Sequence, residues 1–220
     1  MTLFEAQGDY ELFLSVLAQA HQRLAMRTLG YCVMPNHWHL ILWPRRDGDL
    51  SEFMRWLTVT HTQRWHAAHG TAGTGHLYQG RFKSFPVQSR RVNAAAQAAG
   101  TIETADPLRA VLRYVERNPL RAALVSRAEA WPWSSLQGRS SGPAADRPPL
   151  TSPPGDLPDD WLECVNAPQS QAELDALRLG VRRGAPFGQE AWVNRTAREL
   201  GLESTLRPRG RPRKHDEKGS

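Results

Sequence analysis

Two histidines, one residue apart, lie inside a short and strongly apolar extended segment. This segment runs from His37 to Trp43 and follows a second extended segment, residues 28–34, across Pro35. Proline cannot donate to a strand ladder, so the two segments are predicted to form a hairpin or to lie close together in a sheet. Alternate side chains of a strand share a face, which puts His37 and His39 on the same side.

A pair of imidazoles on one sheet face can form half of a divalent-cation site. The alternative is a pair of surface histidines on a solvated face, and the apolar run Leu40-Ile41-Leu42 leaves the two interpretations evenly matched. A small structural metal site is a weaker interpretation, because two histidines supply only two ligands and neither Cys32 nor Cys164 lies at zinc spacing.

Arginine dominates the positive charge. Of the 28 basic residues all but three are arginines, against 22 acidic residues, and the net charge is +6. The planar guanidinium suits phosphate and base edges, although a high genomic GC content would enrich arginine as well. Nucleic acid is therefore the first partner to test.

Several protein classes are excluded by composition. An apolar content of 40% excludes wholesale disorder, and two cysteines cannot make a disulfide framework. The apolar runs are too short to cross a bilayer, and the first residues carry no signal-peptide pattern. We therefore expect a cytoplasmic, nucleoid-associated protein without a membrane partner.

Periodicity and capping residues predict three helices around the hairpin. The first is capped by Asp9 and runs to about residue 27, the second starts at Ser51 and ends before residue 70, and the third opens with Pro107. Residues 77–88 are predicted to be mostly extended, and the Ala-rich residues 92–105 an inserted loop or loose helix.

The third helix carries Tyr114 and Asn118, which are four residues apart and so share a helix face. A tyrosine oxygen can attack phosphorus once a metal or base activates it, and an asparagine carbonyl is a hard ligand suited to Mg²⁺ or Mn²⁺. Taken alone, the pair is better explained as a half-buried tyrosine beside Leu112 and a helix-end asparagine before Pro119.

Aromatic and cationic residues alternate in residues 75–83, a pattern suited to stacking on unpaired bases and contacting phosphates. An amphipathic strand with its basic residues outward explains it equally well. The candidate DNA-binding residues in this stretch are His76, Tyr78, Gln79, Arg81 and Lys83.

The chain closes on a basic tail that cannot fold alone and whose arginine spacing resembles arms that track a DNA groove. A solvated charge run is the alternative. The candidate DNA-binding residues of the tail are Arg207, Arg209, Arg211, Arg213 and Lys214.

Considered together, these motifs resemble those of the REP-associated tyrosine transposases, relatives of the single-tyrosine insertion-sequence transposases. The likeness covers nearly the whole chain in ordered blocks, which are Tyr31-Cys32-Val33-Met34-Pro35-Asn36-His37-Trp38-His39-Leu40, residues 75–84, Arg113-Tyr114-Val115-Glu116-Arg117-Asn118-Pro119-Leu120-Arg121-Ala122, Trp131-Pro132-Trp133-Ser134-Ser135 and the tail.

The resemblance implies an α+β, ferredoxin-like sandwich with a central antiparallel sheet. Capping and breaker residues predict a C-terminal helical segment after it, with short helices at 171–181 and 189–200, and the basic tail follows. The resemblance also implies that His37, His39 and Asn118 bind Mg²⁺ or Mn²⁺, that Tyr114 is the nucleophile, and that Arg117 contacts DNA. The implied function is a transposase that nicks and rejoins single-stranded DNA at REP-type hairpins through a 5′-phosphotyrosine. It leaves open whether the protein is a monomer or a dimer.

Composition and the resemblance together set the expected domain boundaries. Residues 1–137 form the catalytic domain, 138–160 a Pro/Ser/Gly linker, 161–206 a small helical segment and 207–220 the DNA-binding tail. Family members carry a strand before the Leu3-Phe4-Glu5 segment, so we expect that strand to be missing and one sheet edge to be raw.

Two nucleic-acid alternatives stay open. One is a hairpin-DNA-binding regulator of the same fold with impaired catalysis. The other is a relaxase or replication-initiation nuclease, which the absence of a further histidine near His37 and the position of Asn118 disfavour.

Overall fold

The structure, a computed structural model, describes residues 2–89, 106–142 and 146–207. The predictions for residues 92–105 and for the tail beyond Arg207 lie outside the described residues. Within the described part of the chain, no helix combines the length and the apolarity that crossing a membrane requires.

Helices surround a two-stranded sheet. In chain order the described elements are α1 (Gln7–Arg23), β1 (Arg27–Met34), β2 (His37–Trp43), α2 (Asp49–His69), α3 (Pro107–Glu116), α4 (Asn118–Arg121), a 3₁₀ turn (Ala128–Ala130), α5 (Ser135–Ser141), α6 (Trp161–Asn166), α7 (Gln171–Arg183), α8 (Glu190–Glu199) and α9 (Glu203–Leu206). This arrangement confirms the α+β class.

The first helix begins three residues earlier than predicted, because an aspartate in its first turn satisfies the free backbone amides. In α1 the Asp9 carboxylate accepts from the Glu5 and Ala6 amides at 2.9 and 3.0 Å. An acidic group is favoured there because it also faces the positive end of the helix dipole. The helix ends at Arg23, four residues before the predicted end, because Leu24 is extended.

The second helix also begins two residues before its predicted start, at Asp49. The Asp49 carboxylate accepts from the amides of Arg45 and Arg46, at 3.1 and 2.8 Å. The helix ends where Gly70 takes a left-handed conformation, with φ of 64°, which glycine adopts without a side-chain clash.

The third helix begins at Pro107, as predicted. Asp106 is the N-cap and accepts from the Arg109 amide at 3.2 Å. Proline suits the first helical position, where its missing N–H costs no hydrogen bond.

Strands β1 and β2 form the predicted antiparallel hairpin. Cys32 pairs with His39, and Met34 with His37. The far edge of β1 is partly covered rather than raw, since the Val33 amide donates to the Trp133 carbonyl at 2.9 Å. The further strands of a ferredoxin-like sandwich stay a prediction.

Residues 77–88 do not form the extended strand that their alternation predicts. They contain a single isolated bridge, between Val87 and Phe187. Gly80 has no side chain to pack, and Pro86 has no N–H to add to a ladder, so this segment lies as an irregular stretch across the protein.

The sheet separates two apolar cores. Tyr31 and Val33 of β1 belong to the core that α1 and α2 build. Cys32 and Met34 point the other way, into the core that α3 shares with α6 and α7. The alternation of side chains along one strand thus joins both halves of the protein.

The boundary expected at residue 137 falls within α5, which runs from Ser135 to Ser141. Elements after the expected linker share the α3 core: Trp161, Val165 and Leu177 belong to the same apolar cluster as Leu112.

A fully buried carboxylate fastens α3 to the rest of the protein. Glu116 accepts from the Ser135 hydroxyl at 2.7 Å, from the Arg139 guanidinium at 2.8 Å and from the Trp161 indole at 2.8 Å. The Ser135 hydroxyl in turn accepts from the Tyr31 amide at 2.9 Å. A buried carboxylate is stable only when such donors replace water.

Close approach of α3 to β1 depends on a glycine. A Cβ at Gly30 would lie 2.8 Å from Leu112 Cδ2 and 3.3 Å from Ser135 Oγ. The bare backbone of β1 at this point therefore makes room for the α3 side chain and for the hydroxyl that Glu116 uses.

We expect Glu116→Gln to lower the free energy of unfolding by about 2–3 kcal/mol, because an amide group would face donors inside the protein. Urea unfolding measures this. Glu52→Gln, an exposed carboxylate on α2, is the matched control and should change stability by less than about 0.5 kcal/mol. Equal effects of the two substitutions would contradict the assigned role of Glu116.

Candidate active site on the sheet

The two histidines of β2 face each other on the α3 side of the sheet. His37 Nε2 and His39 Nε2 are 3.2 Å apart, with the rings nearly perpendicular at 88°. His37 Nδ1 lies 2.7 Å from the Asn36 side-chain oxygen. Since that oxygen can only accept, it fixes the proton on Nδ1 and leaves a lone pair on His37 Nε2.

The surroundings keep both imidazoles neutral. Burial, with contributions from His37 and then Arg121, lowers the pKa of His39 to about 3. Burial and the Arg121 charge also lower the pKa of His37. A metal ligand must present an unprotonated nitrogen, so both rings are in the form that binds a cation.

The spacing of the two nitrogens fits a shared metal ion. Two imidazole nitrogens about 2.1 Å from one cation, at angles between about 90° and 109°, lie roughly 3.0–3.4 Å apart. The Nε2 atoms of His37 and His39 fall within this range. No third histidine, cysteine, aspartate or glutamate joins them among the described residues.

Tyr114 lies against this pair, carried by α3. Its ring centroid is 6.0 Å from that of His39, with the planes at 77°. The face of α3 that carries Tyr114 therefore lies against the face of the sheet that carries His37 and His39.

Asn118 and Arg121, in the short helix α4, complete the cluster. The Arg121 guanidinium donates to Asn118 Oδ1 at 2.7 Å and lies 4.1 Å from the Tyr114 ring centroid. Asn118 is only 7% exposed, so its amide points inward at the start of α4 rather than capping a helix end in solvent. A fixed cation here adds positive charge close to the two imidazoles.

A cleft of about 770 Å³ opens beside His39 and Tyr114, bounded by described residues. Its walls are mainly apolar and include Phe85 and Leu177, with Lys83 contributing a charge. Of the candidate DNA-binding residues of 75–83, Lys83 is therefore the one that the fold brings to the cleft.

Tyr78 lies on the other side of the sheet. Its hydroxyl is 2.6 Å from His61 Nδ1 and accepts from the Trp38 indole at 3.3 Å. Burial lowers the pKa of His61 to about 4 and raises that of Tyr78. The Tyr78 hydroxyl thus bridges β2 and α2, and a contact of its half-buried ring with DNA stays a prediction.

The remaining candidate DNA-binding residues are scattered. His76, Gln79, Arg81 and Arg207 are exposed. Arg117 donates to the Val165 carbonyl at 2.9 Å and also to that of Asn166, so its guanidinium is held by α6. The four remaining tail residues, Arg209, Arg211, Arg213 and Lys214, lie outside the described residues.

Sequence reasoning missed Arg121 and Glu116 as parts of this site. The signal for Arg121 was present in the sequence. Arg121 follows Asn118 by three residues and Tyr114 by seven, and residues at these spacings share a helix face. Glu116 gave no such signal, since its partners Ser135, Arg139 and Trp161 are distant in the chain.

We expect Tyr78→Phe to reduce stability and leave DNA binding unchanged. The substitution removes the hydroxyl that is the hydrogen-bond partner of His61 Nδ1 and of the Trp38 indole. Its loss should lower the free energy of unfolding by about 1–3 kcal/mol. Urea unfolding and electrophoretic mobility shift with a hairpin oligonucleotide measure the two properties. Weaker DNA binding with unchanged stability would restore Tyr78 as a DNA contact.

Comparison with known protein families identifies the first part of the chain. Residues 2–97 match the model of the family described as "Transposase IS200 like". The match includes His37 and His39 and ends before Tyr114 and Asn118. No curated protein and no solved structure matches the chain. Over these residues, which are less than half of the chain, the protein is similar to the IS200-like transposases.

Proposed function

We propose that this protein is a transposase that nicks and rejoins single-stranded DNA at REP-type hairpins through a phosphotyrosine intermediate. The observation that carries the proposal is the placement of Tyr114 against His39, with Asn118 one helical turn further along. Tyr114 and His39 line one cleft, His37 contacts His39, and Asn118 is joined to Tyr114 through Arg121.

The chain offers only one suitable tyrosine. It has four tyrosines, and all of them lie within the described residues. Tyr10 and Tyr31 are 7% and 1% exposed, and the Tyr78 hydroxyl is engaged in the interior. Tyr114 alone combines partial exposure with a position beside the histidine pair.

His37, His39 and Asn118 would hold the divalent cation, Mg²⁺ or Mn²⁺. Two neutral nitrogens and one amide oxygen suit either ion when water completes the shell. Bound there, the cation would offset negative charge on the scissile phosphate.

The reaction assigned to Tyr114 is a transesterification. Its phenolate oxygen attacks phosphorus, a new O–P bond forms, and the bond from phosphorus to the 3′-oxygen breaks. The phenol proton is balanced by protonation of the leaving 3′-oxygen, which becomes a 3′-OH. The 3′-OH of a second strand reverses the step, and bond energy is retained without a high-energy cofactor.

Two features support single-stranded or hairpin DNA as the substrate. The cleft holds the aromatic and cationic groups Phe85 and Lys83 next to the nucleophile, which suits an unpaired strand. The block around Tyr114 and Asn118 resembles that of the REP-associated tyrosine transposases, and this resemblance indicates REP-type hairpins.

The main alternative is a hairpin-binding regulator of the same fold without catalysis. It would bind the same DNA through the same basic residues. Metal-dependent nicking separates the two functions, because a regulator leaves the strand intact.

We expect the wild-type protein to form a covalent adduct with a hairpin oligonucleotide in Mn²⁺, and Tyr114→Phe to lose it. The phenylalanine ring keeps the packing against His39 and Arg121 but has no oxygen to attack phosphorus. Denaturing gel electrophoresis detects the adduct, and mobility shift should show DNA binding within about twofold of wild type.

Tyr10→Phe is the matched control for the removal of a tyrosine oxygen and should form the adduct normally. An adduct that persists in Tyr114→Phe would eliminate Tyr114 as the nucleophile. Wild-type protein that binds the hairpin but never nicks it would favour the regulator.

We expect His39→Ala to weaken Mn²⁺ binding by at least about tenfold, because it removes one of two nitrogen ligands. Isothermal titration without DNA measures this. His76→Ala is the control, since His76 is exposed and outside the cluster. Unchanged affinity in His39→Ala would place the cation elsewhere.

A further inference from the structure

Four arginines follow one another at intervals of four along α3 and α4, and three of them have a clear structural role. Arg109 donates to the Gly155 carbonyl at 2.7 Å, Arg113 to the Ala167 carbonyl at 2.9 Å, and Arg117 to the Val165 carbonyl at 2.9 Å. These three bind residues of the expected linker and of the segment after it to the tyrosine helix. Their guanidinium groups are accordingly occupied by backbone carbonyls.

Arg121, the fourth, points into the active-site cluster instead. It donates to Asn118 Oδ1 at 2.7 Å and to the Tyr114 carbonyl at 3.4 Å, and its Cζ lies 4.1 Å from the Tyr114 ring centroid. No acidic side chain forms an ion pair with Arg121 among the described residues. An amide oxygen and a ring face are weak partners for a half-buried cation.

The Asn118 oxygen therefore has two competing uses. A divalent cation held by His37 and His39 would need this oxygen, but the Arg121 guanidinium already binds it. The positive charge of Arg121 would also repel any cation placed beside the two imidazoles. Metal binding is thus favoured when the Arg121 guanidinium binds an anion instead of the Asn118 oxygen.

The anion that the proposed reaction brings to this point is a DNA phosphodiester. A guanidinium matches phosphate oxygens with two parallel donors, a better partner than one amide oxygen. Binding a phosphate would turn the Arg121 side chain away from Asn118.

We propose that Arg121 is a phosphate-binding residue that couples DNA binding to metal binding at this site. Without DNA it occupies Asn118 and disfavours the cation; with DNA it binds a phosphodiester and releases the asparagine oxygen. This inference rests on the proposed function. By thermodynamic linkage, DNA then tightens metal binding and metal tightens DNA binding by the same factor.

The experiment measures Mn²⁺ affinity by isothermal titration in the full-length Tyr114→Phe protein, which cannot cleave. Each variant is titrated alone and with a saturating hairpin oligonucleotide that carries an unpaired flank. The Tyr114→Phe parent should bind Mn²⁺ at least about fivefold more tightly with the oligonucleotide than without it.

Adding Arg121→Gln should tighten Mn²⁺ binding in the absence of DNA by about tenfold. In this variant the Mn²⁺ affinities with and without the oligonucleotide should be nearly equal. Adding Arg121→Lys keeps the charge but loses the double donor, so binding without DNA should stay close to that of the parent. Arg178→Gln is the control, since Arg178 is a half-exposed arginine whose charge reaches Arg121. Circular dichroism checks that each variant is folded.

Mn²⁺ binding that is lost in His39→Ala but is no tighter in Arg121→Gln than in the parent would overturn the role of Arg121 alone. A tightening in Arg178→Gln equal to that in Arg121→Gln would also overturn it, because general charge would explain both. Mn²⁺ binding that survives His39→Ala, or that never occurs, would overturn the proposed metal site together with this inference.

Discussion

The Glu116 carboxylate is the interaction on which the geometry of the site depends. It lies midway between Tyr114 and Asn118 in the chain and binds donors from α5 and α6. Through Ser135 the same network reaches the backbone of β1 at Tyr31, and β1 carries β2. The two elements that carry the proposed catalytic residues are therefore joined by one buried carboxylate, whose replacement by a group with fewer acceptors would loosen both.

The two faces of the sheet have different roles. On one face, Trp38 packs with the α1 and α2 core and donates to Tyr78. On the other, His37 and His39 meet α3. Because alternation along β2 is strict, the apolar packing of one face fixes the orientation of the histidines on the other. The Arg109, Arg113 and Arg117 side chains then hold the C-terminal elements against the back of the tyrosine helix.

Local pattern was enough to predict the hairpin, the shared face of the two histidines and the Pro107 start of α3, because each depends on neighbouring residues. Other features depend on contacts between residues far apart in the chain. Residues 77–88 alternate like a strand, yet they find no neighbouring strand to complete a ladder among the described residues. The hydrogen bond between the Tyr78 hydroxyl and His61 could not be predicted, because the two residues are 17 positions apart in the chain. Arg121 belongs to the site because α4 places its guanidinium next to the Asn118 side chain.

The central claim is that the fold brings Tyr114 to the histidine pair as the nucleophile of DNA cleavage. The most direct measurement is tandem mass spectrometry of the wild-type protein after reaction with a hairpin oligonucleotide in Mn²⁺, followed by nuclease and protease digestion. The account predicts a nucleotide attached through phosphate to the peptide that contains Tyr114. A nucleotide on the peptide of Tyr10, Tyr31 or Tyr78, or cleaved DNA with no modified tyrosine, would contradict it.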